Sequence, residues 1–165
     1  MKHLYLIGGA MGVGKTATCR VLQKNLQNCV FLDGDWCWDM HPFVVNAETK
    51  AMVMENIAFL LNQYIRCSIY EHIIFCWVMH EQQIIDDLLS RLHTEECEVH
   101  CISLTCSAET LAARLQSDID AGIRQVDIIE RSIPRLALYE HLNTRKIYTD
   151  GCSIEQAAQM ILEGI

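Results

Sequence analysis

The sequence predicts an α/β fold in which helices cover both faces of a parallel sheet. Short apolar runs rich in valine, isoleucine and aromatic residues alternate along the chain with longer segments of helical period. The apolar runs are mostly continuous rather than alternating, as strands buried on both faces must be. These two patterns together favour a sheet that is enclosed between two layers of helices.

Five strands and six helices follow from this pattern. The predicted strands span residues 4–7, 29–32, 72–79, 99–104 and 146–149. The predicted helices span residues 15–26, 48–66, 81–93, 108–117, 126–141 and 154–163. Ser107 and Ser153 have the positions of helix N-caps, and Gln156 completes the spacing of a capping box.

Composition limits the class of protein. At 165 residues with 51% hydrophobic residues, the chain matches one compact domain over residues 1–165. A net charge of -8 argues against a nucleic-acid partner, because binding a phosphate backbone needs clustered cations. No segment approaches the roughly 20 apolar residues of a membrane span. The nine cysteines have no metal-binding spacing, so we expect reduced thiols in a cytoplasmic protein. We expect a monomer or a homodimer.

A phosphate-binding loop is predicted between the first strand and the first helix. The residues from Gly9 to Thr16 read GAMGVGKT and fit G-x-x-x-x-G-K-[ST] at every fixed position. Glycines allow backbone N–H groups to surround phosphates at the positive end of a helix. The predicted nucleotide contacts are Gly9, Met11, Gly12, Val13, Gly14, Lys15, Thr16 and Ala17. Lys15 supplies charge to the β- and γ-phosphates, and the Thr16 hydroxyl is suited to Mg²⁺.

Two carboxylates follow the second strand. Asp33 and Asp35 lie at the carboxyl end of a buried run, where open α/β sheets bind their ligands. Alternate residues of an extended chain point the same way. One carboxylate can therefore help hold Mg²⁺, while the other accepts a proton from an attacking hydroxyl. A solvated Asp-Gly turn is the alternative.

The phosphate loop and the segment Leu32-Asp33-Gly34-Asp35 resemble the P-loop small-molecule kinases. These include shikimate kinase, gluconate kinase, chloramphenicol phosphotransferase and AAA-type nucleotide kinases. The resemblance implies a three-layer P-loop NTPase fold with strand order 2-3-1-4-5 and a small lid near residues 115–128. It also implies that Asp33 belongs to the Mg²⁺ shell and that Asp35 binds the acceptor or acts as the base.

Arginines cluster in and after the predicted lid. The resemblance implies that Arg124 closes over the phosphates and that Arg114 lies over adenine. It places Asp150 in the turn that holds the base and favours ATP over GTP. Arg131 is a further candidate for the phosphates, and it shares a predicted helix face with Arg135. Surface pairing with nearby carboxylates is the alternative for these arginines.

The binding site for the molecule that accepts the phosphate is predicted from aromatic residues near the same sheet edge. Trp36 and Trp38 follow the acidic pair, and Trp77 and His80 follow the third strand. Packing against the core is the alternative for each of them. Lys50 and Arg66 are the only fixed cations between Asp33 and Ser90, which argues against an acceptor phosphate or carboxylate. We therefore expect a neutral or cationic acceptor that bears a hydroxyl.

Two functions remain open at this point. The first is an ATP-dependent phosphotransferase that uses Mg²⁺ and acts on a small molecule, with a nucleoside or nucleotide kinase as a variant of it. The second is a non-catalytic ATP-binding switch that presents a loop to a protein partner. Fold alone does not separate them.

Overall fold

The computed structural model describes all residues from 1 to 165 and has a five-stranded sheet at its centre. The strands are β1 (Lys2–Gly9), β2 (Cys29–Asp33), β3 (His72–Cys76), β4 (Cys97–Thr105) and β5 (Arg145–Tyr148). Their order is β2-β3-β1-β4-β5, and every neighbouring pair is parallel. The predicted P-loop NTPase topology is therefore confirmed.

Seven α-helices and two short 3₁₀-helices connect the strands. The α-helices are α1 (Lys15–Asn25), α2 (Ala47–Arg66), α3 (Gln82–Ser90), α4 (Ala108–Asp120), α5 (Ile128–Ser132), α6 (Leu136–Glu140) and α7 (Ile154–Leu162). The 3₁₀-helices are Gly34–Trp38 and Ile133–Arg135. No helix is both long enough and apolar enough to cross a bilayer.

Central strand β1 forms the middle of the core. Leu4, Leu6 and Ile7 are 1% exposed or less, and β1 pairs with β3 on one side and with β4 on the other. Because strands in such a sheet are buried on both faces, their apolar runs are continuous. The carboxyl ends of β1, β2 and β3 meet at one edge of the sheet, where the phosphate loop and the two aspartates lie.

Two predicted segments differ from the structure. The helix expected over residues 126–141 is divided into α5, a 3₁₀ turn and α6. Pro134 lies in that turn, and its ring and missing N–H are incompatible with a continuous α-helix. The third strand ends at Cys76, three residues before its predicted end, and the positive φ of 37° at Met79 is one that a strand does not allow.

The predicted helix caps are confirmed. The Ser107 side chain accepts a hydrogen bond from the Thr110 backbone N–H, and Ser153 forms a capping box with Gln156. Asn46 forms a further capping box with Thr49 at the start of α2. All nine cysteines are free thiols. The caps fix where α4 and α7 begin, and both helices border the site described next.

Candidate active site

The phosphate loop has a backbone conformation that glycine makes possible. Gly12 and Gly14 have φ values of 86° and 103°, in the region that residues with a Cβ rarely occupy. A Cβ at Gly12 would overlap the Leu115 side chain of α4, so the loop packs directly under that helix. Gly14 caps α1 without any side-chain hydrogen bond. The first backbone N–H groups of α1 are therefore available to an anion.

Lys15 lies across the loop that precedes it. Its Nζ donates to the backbone oxygens of Gly9, at 2.8 Å, and Ala10, at 3.1 Å. Burial lowers the pKa of Lys15, and the nearby Asp35 and Asp33 carboxylates oppose that shift. The ammonium group is thus held at the loop by weak carbonyl acceptors that phosphate oxygens can replace.

Thr16 and Asp33 form a cluster of oxygen atoms, in which Asp33 is buried and Thr16 is exposed. The Thr16 Oγ1 donates to Asp33 Oδ2 at 2.6 Å, and Asp33 Oδ1 accepts the Asp35 backbone N–H at 3.0 Å. Asp33 is only 5% exposed. A hydroxyl and a carboxylate held together in this way suit Mg²⁺, which prefers oxygen ligands. The cluster fits the metal site that the sequence predicts.

Asp35 lies in the 3₁₀ turn that follows β2. Its side chain is exposed, but it lies on a concave surface where protein atoms displace part of its water. This desolvation raises the pKa of Asp35, and the Asp33 charge raises it further, while Lys15 and Arg124 act in the opposite direction. A carboxylate with a raised pKa is a better proton acceptor than a fully solvated one.

A cavity of about 720 Å³ surrounds the phosphate loop. Its walls come from residues 11–18, from Arg114, Ser117 and Asp118 of α4, and from the turn between Thr149 and Ile154. Arg114 joins these walls, because its guanidinium donates to the backbone oxygens of Val13, at 3.2 Å, and Thr149, at 2.8 Å. It also donates to the Thr149 hydroxyl at 2.9 Å. The predicted nucleotide residues from Met11 to Ala17 therefore line one cavity with Arg114.

Arg124 borders the same cavity from the segment predicted as a lid. Its Nε donates to Asp118 Oδ2 at 2.9 Å, and the two side chains are 28% and 33% exposed. Gly122, with a φ of 72°, makes the turn that brings Arg124 back toward α4. Arg124 is thus close enough to influence Asp35 while it is held by a partner on its own segment.

Neither Asp150 nor Arg131 lines a cavity, although the turn that contains Asp150 borders the first one. Asp150 is outside both cavities and accepts hydrogen bonds from Ser107 and Thr110 at the start of α4. These hydrogen bonds lower the pKa of Asp150 to about 2. Arg131 pairs with Asp127 at 3.3 Å on the surface, with its side chain 64% exposed. The break at Pro134 also removes the helix face that Arg131 was expected to share with Arg135.

A second cavity of about 520 Å³ adjoins the first. The predicted acceptor residues Asp35, Trp38, Trp77 and His80 line it. Met11, Asp35 and Val78 line both cavities. The two spaces therefore meet beside the Asp35 side chain, and the phosphate loop contributes Met11 to their boundary.

Trp36 lies outside the second cavity. Its ring packs edge-on against Phe31 at 5.4 Å, and the Arg20 guanidinium lies 5.2 Å from the Trp36 ring. Trp36 is 48% exposed on this outer surface. Its neighbour Trp38 instead faces the cavity and contacts Phe43, with ring centroids 6.0 Å apart. Of the two tryptophans in this segment, only Trp38 lines the second cavity.

The sequence did not predict several residues of the second cavity. They are Phe43, Val45, Met79, Ile84 and Arg135. Arg135 brings a guanidinium to a cavity that was expected to lack fixed cations, because the Pro134 turn redirects the chain there. Phe43 is 66% exposed, and exposed aromatic residues after an acidic turn were the one available signal for it.

Comparisons with known proteins agree with this arrangement. The sequence profile described as "AAA domain" (AAA_18) matches residues 6–132, which include the phosphate loop, both aspartates and the arginine segment. A search of curated protein sequences finds no match. Solved structures that share the fold include proteins from three bacteria.

The tunicamycin resistance protein of Deinococcus radiodurans is 18% identical and has a TM-score of 0.69, with 99% of this chain and 95% of that chain covered. A gluconokinase from Sinorhizobium meliloti 1021 is 13% identical with a TM-score of 0.72, over 98% and 90% of the two chains. The APS kinase of Mycobacterium tuberculosis, solved with AMPPNP and APS, is 12% identical with a TM-score of 0.63, over 98% and 96%. The chain belongs to the AAA domain family (AAA_18), and its fold is that of the P-loop small-molecule kinases.

Proposed function

We propose that this protein is a phosphotransferase that moves the γ-phosphate of Mg·ATP to a hydroxyl of a small neutral acceptor. The observation that carries the proposal is the meeting of two cavities at Asp35. One cavity is lined by a phosphate loop, and the other is lined mainly by aromatic and aliphatic side chains. A carboxylate at their junction is where a kinase needs a proton acceptor.

The nucleotide phosphates enter the first cavity at the amino end of α1. Backbone N–H groups of the loop bind phosphate oxygens there, and Lys15 exchanges its bonds to Gly9 and Ala10 for bonds to phosphate. Arg124 leaves Asp118 and turns toward the phosphates, which makes residues 115–128 the lid. Positive charge then surrounds the group that is transferred.

Thr16 and Asp33 are the residues that would hold Mg²⁺, which when bound neutralises charge on the phosphate oxygens. Asp33 has a second task that depends on no metal. Its Oδ1 accepts the Asp35 N–H and so fixes the turn that carries Asp35. The position of the base therefore depends on Asp33.

Asp35 receives the proton of the acceptor hydroxyl. As the O–H proton moves to the carboxylate, the hydroxyl oxygen bonds to the γ-phosphorus, and the bond from phosphorus to the bridging oxygen breaks to release ADP. Desolvation raises the pKa of Asp35 and strengthens it as a base, while Lys15 and Arg124 keep the ionised form accessible. The desolvation of Asp35 and the charges of Lys15 and Arg124 thus together determine how readily Asp35 takes up this proton.

The second cavity favours a neutral acceptor over a charged one. Its walls present Trp38, Phe43 and Trp77, which suit an apolar or ring-shaped surface. Asp35 and Arg135, which carry opposite charges, both line it. Arg135 would repel a cationic acceptor, and Asp35 would repel an anionic one. His80 Nδ1 is buried without a hydrogen-bond partner, and a hydroxyl of the acceptor is suited to bond it.

We propose further that one chain performs the reaction in the cytoplasm. Residues of a single chain line both cavities, so residues 1–165 form one catalytic domain. The nine free cysteines suit a reducing compartment. No residue of a second chain is required for the chemistry described above.

The test measures ADP release from Mg·ATP across a panel of possible acceptors. The panel contains neutral sugars, alcohols, nucleosides and hydroxylated antibiotics, with cationic alcohols and nucleoside monophosphates for comparison. Lys15→Ala serves as the blank, and Lys24→Ala, on the exposed side of the same helix, serves as the matched control. We expect acceptor-dependent ADP release from the wild type and Lys24→Ala but not from Lys15→Ala.

Two outcomes would contradict the proposal. Tight ATP binding without turnover for any acceptor would favour the non-catalytic switch. Efficient phosphorylation of a nucleoside monophosphate would show that the acceptor is anionic and that Arg135 binds its phosphate.

A further inference from the structure

A cluster of imidazole and carboxylate groups lies far from both cavities. His3 is near the start of β1, and Glu98 and His100 are on the neighbouring strand β4. In the β1–β4 register, His3 is paired with Glu98 and Tyr5 with His100. Because side chains alternate along a strand, all four residues project from the same face of the sheet.

The ligand atoms of this cluster are close together. His3 Nδ1 lies 3.1 Å from His100 Nε2 and 3.5 Å from Glu98 Oε2. One nitrogen or oxygen from each of the three residues lies within 4.8 Å of the others. A tetrahedral Zn²⁺ bonds nitrogen and oxygen at about 2.0–2.2 Å, which places its ligand atoms about 3.3–3.6 Å apart. The two spacings from His3 Nδ1 are close to this range, and because the His3 and His100 nitrogens point at each other, the imidazole rings must turn slightly to direct both lone pairs at one ion.

Neighbouring rings hold the two histidines in place. The His3 ring lies edge to edge with the His100 ring, with centroids 5.4 Å apart, and stacks on His72 of β3 at 5.2 Å. The Tyr5 hydroxyl lies 3.1 Å from His72 Nδ1, and the Tyr5 ring stacks on His100 at 5.1 Å. Tyr5 is 1% exposed. Packing therefore keeps the two imidazoles next to each other, so that only small ring rotations separate them from a metal-binding arrangement.

Charge and access also suit a cation. The His3 side chain is 25% exposed and that of Glu98 is 50% exposed, so an ion can reach the cluster from solvent. Glu98 supplies a negative charge, and the chain as a whole carries -8. Arg145 of β5 is the nearby positive group, but its Nη2 donates to the Ile161 backbone oxygen of α7 at 2.6 Å. Its charge is thus directed to the end of that helix.

We propose that His3, Glu98 and His100 form a site for one Zn²⁺-type divalent cation that joins β1 to β4. The site lies at the opposite end of β1 from the phosphate loop. Gly9 is six positions after His3, which corresponds to about 20 Å along a strand. The ion therefore takes no part in phosphate transfer, and its effect is to stabilise the pairing of the two strands.

The test is metal binding to the full-length chain produced without a polyhistidine tag. Equilibrium dialysis with Zn²⁺ counts the bound ions, and Co²⁺ absorption spectra report their geometry and ligands. The variants are His100→Ala and Glu98→Gln, and the control is His141→Ala, an exposed histidine outside the cluster. We expect the wild type and His141→Ala to bind one ion more than His100→Ala does.

The affinity of that ion should fall at least about 100-fold in His100→Ala, since loss of an outer-shell partner alone costs about 10- to 100-fold. Glu98→Gln, which keeps the shape of the side chain, should weaken the same ion. The Co²⁺ form should show intense tetrahedral d–d bands, and these bands should disappear in His100→Ala. Zn²⁺ should raise the unfolding midpoint of the wild type by several degrees and leave that of His100→Ala unchanged.

Equal ion counts and affinities in the wild type and in folded His100→Ala would overturn the proposal. So would Co²⁺ spectra that show only sulfur-to-cobalt charge transfer, because the ion would then be bound by cysteines. Far-ultraviolet circular dichroism and Mg·ATP affinity verify that each variant is folded. If either contradicting result were obtained, the 3.1 Å contact between His3 and His100 would be only a hydrogen bond between two imidazoles.

Discussion

The two cavities that meet at Asp35 are built in different ways. The first cavity, proposed for the nucleotide, has one continuous segment, residues 11–18, as the longest part of its wall, and the shape of that segment depends on glycine and on backbone N–H groups. The second cavity, proposed for the acceptor, takes its walls from five separate places: Met11, the 3₁₀ turn after β2, residues 43–45, the end of β3 with α3, and Arg135. Side chains define the second cavity, and the backbone defines much of the first.

This difference separates what the fold requires from what specificity requires. Every protein that uses such a loop must bind the same phosphates, so backbone geometry is sufficient there. An acceptor differs from one enzyme to the next, and side chains on loops can change without disturbing the sheet. Substitutions should therefore act on ATP binding in one cavity and on acceptor binding in the other, with Asp35 affecting the chemistry between them.

Asp35→Asn should have the largest effect. The amide cannot accept the hydroxyl proton, so kcat should fall by about 10²- to 10⁴-fold. Mg·ATP affinity should change little, because Asp33 and Thr16 hold the metal position. Steady-state kinetics with the best acceptor and a nucleotide-binding titration measure the two quantities.

The matched control for that experiment is Asp39→Asn, just after the same 3₁₀ turn. Asp39 is exposed and lines neither cavity, so its removal should leave kcat unchanged. If Asp35→Asn lost ATP affinity as strongly as turnover, Asp35 would belong to the metal site and not to the proton transfer.

Gly12→Ala tests whether the backbone defines the nucleotide cavity. A Cβ at Gly12 would overlap Leu115 in addition to adopting a φ of 86°. Strain of about 1–2 kcal/mol and crowding of about 1–3 kcal/mol should together lower the free energy of unfolding by about 2–5 kcal/mol. Denaturant titrations measure this loss, and ATP affinity should fall with it.

Gly122→Ala is the control for Gly12→Ala. Its φ is 72°, but no atom lies within 4 Å of the added Cβ, so only the strain of about 1–2 kcal/mol should appear. Equal losses in the two variants would mean that the contact with Leu115 does not hold the loop in place.

Trp38→Ala tests the side-chain origin of the acceptor cavity. Loss of an aromatic contact should raise the acceptor KM by about 10- to 30-fold, which corresponds to roughly 1.4–2 kcal/mol. The KM for ATP should stay constant. Trp36→Ala, two residues away but packed outside the cavity on Phe31, should leave both constants unchanged. A larger effect of Trp36→Ala would place the acceptor on the outer surface.

The phosphate loop was easier to predict from the sequence than the second cavity, because one continuous segment forms it. A motif of fixed spacing defines it, and the caps at Ser107 and Ser153 follow from local rules. The structure confirms these caps and also the strand order, which the resemblance to P-loop kinases implied. Thr16 and Asp33 were expected to share a metal, and their side chains are hydrogen-bonded. The phosphate loop and the caps depend on residues that are close together in the chain, so a single sequence is enough to predict them.

The acceptor side could be predicted only in part. Trp36 and Trp38 have the same surroundings in the sequence, yet a turn of 3₁₀-helix directs only Trp38 into the cavity. Arg131, the candidate for the phosphates, was expected to share a helix face with Arg135, but Pro134 separates them, and only Arg135 lines the second cavity. Asp150 was predicted in the turn that holds the base, and its side chain in that turn is bonded to Ser107 and Thr110 at the start of α4. Each outcome depends on tertiary packing, which residue spacing does not encode.

The smallest predicted effect concerns the charge that Arg124 brings to the junction of the cavities. Catalysis needs Asp35 in its ionised form, so kcat/KM should fall on the acid side as pH decreases through the pKa of Asp35. Desolvation raises that pKa, whereas the Arg124 charge lowers it. Arg124→Ala should therefore move the acid limb of the profile to higher pH, in addition to any loss of rate. Arg131→Ala, whose side chain is paired on the surface, should not move it. A lower rate in Arg124→Ala with an unshifted limb would mean that this arginine acts on the phosphates alone and that the pKa of Asp35 is determined by burial and by Asp33.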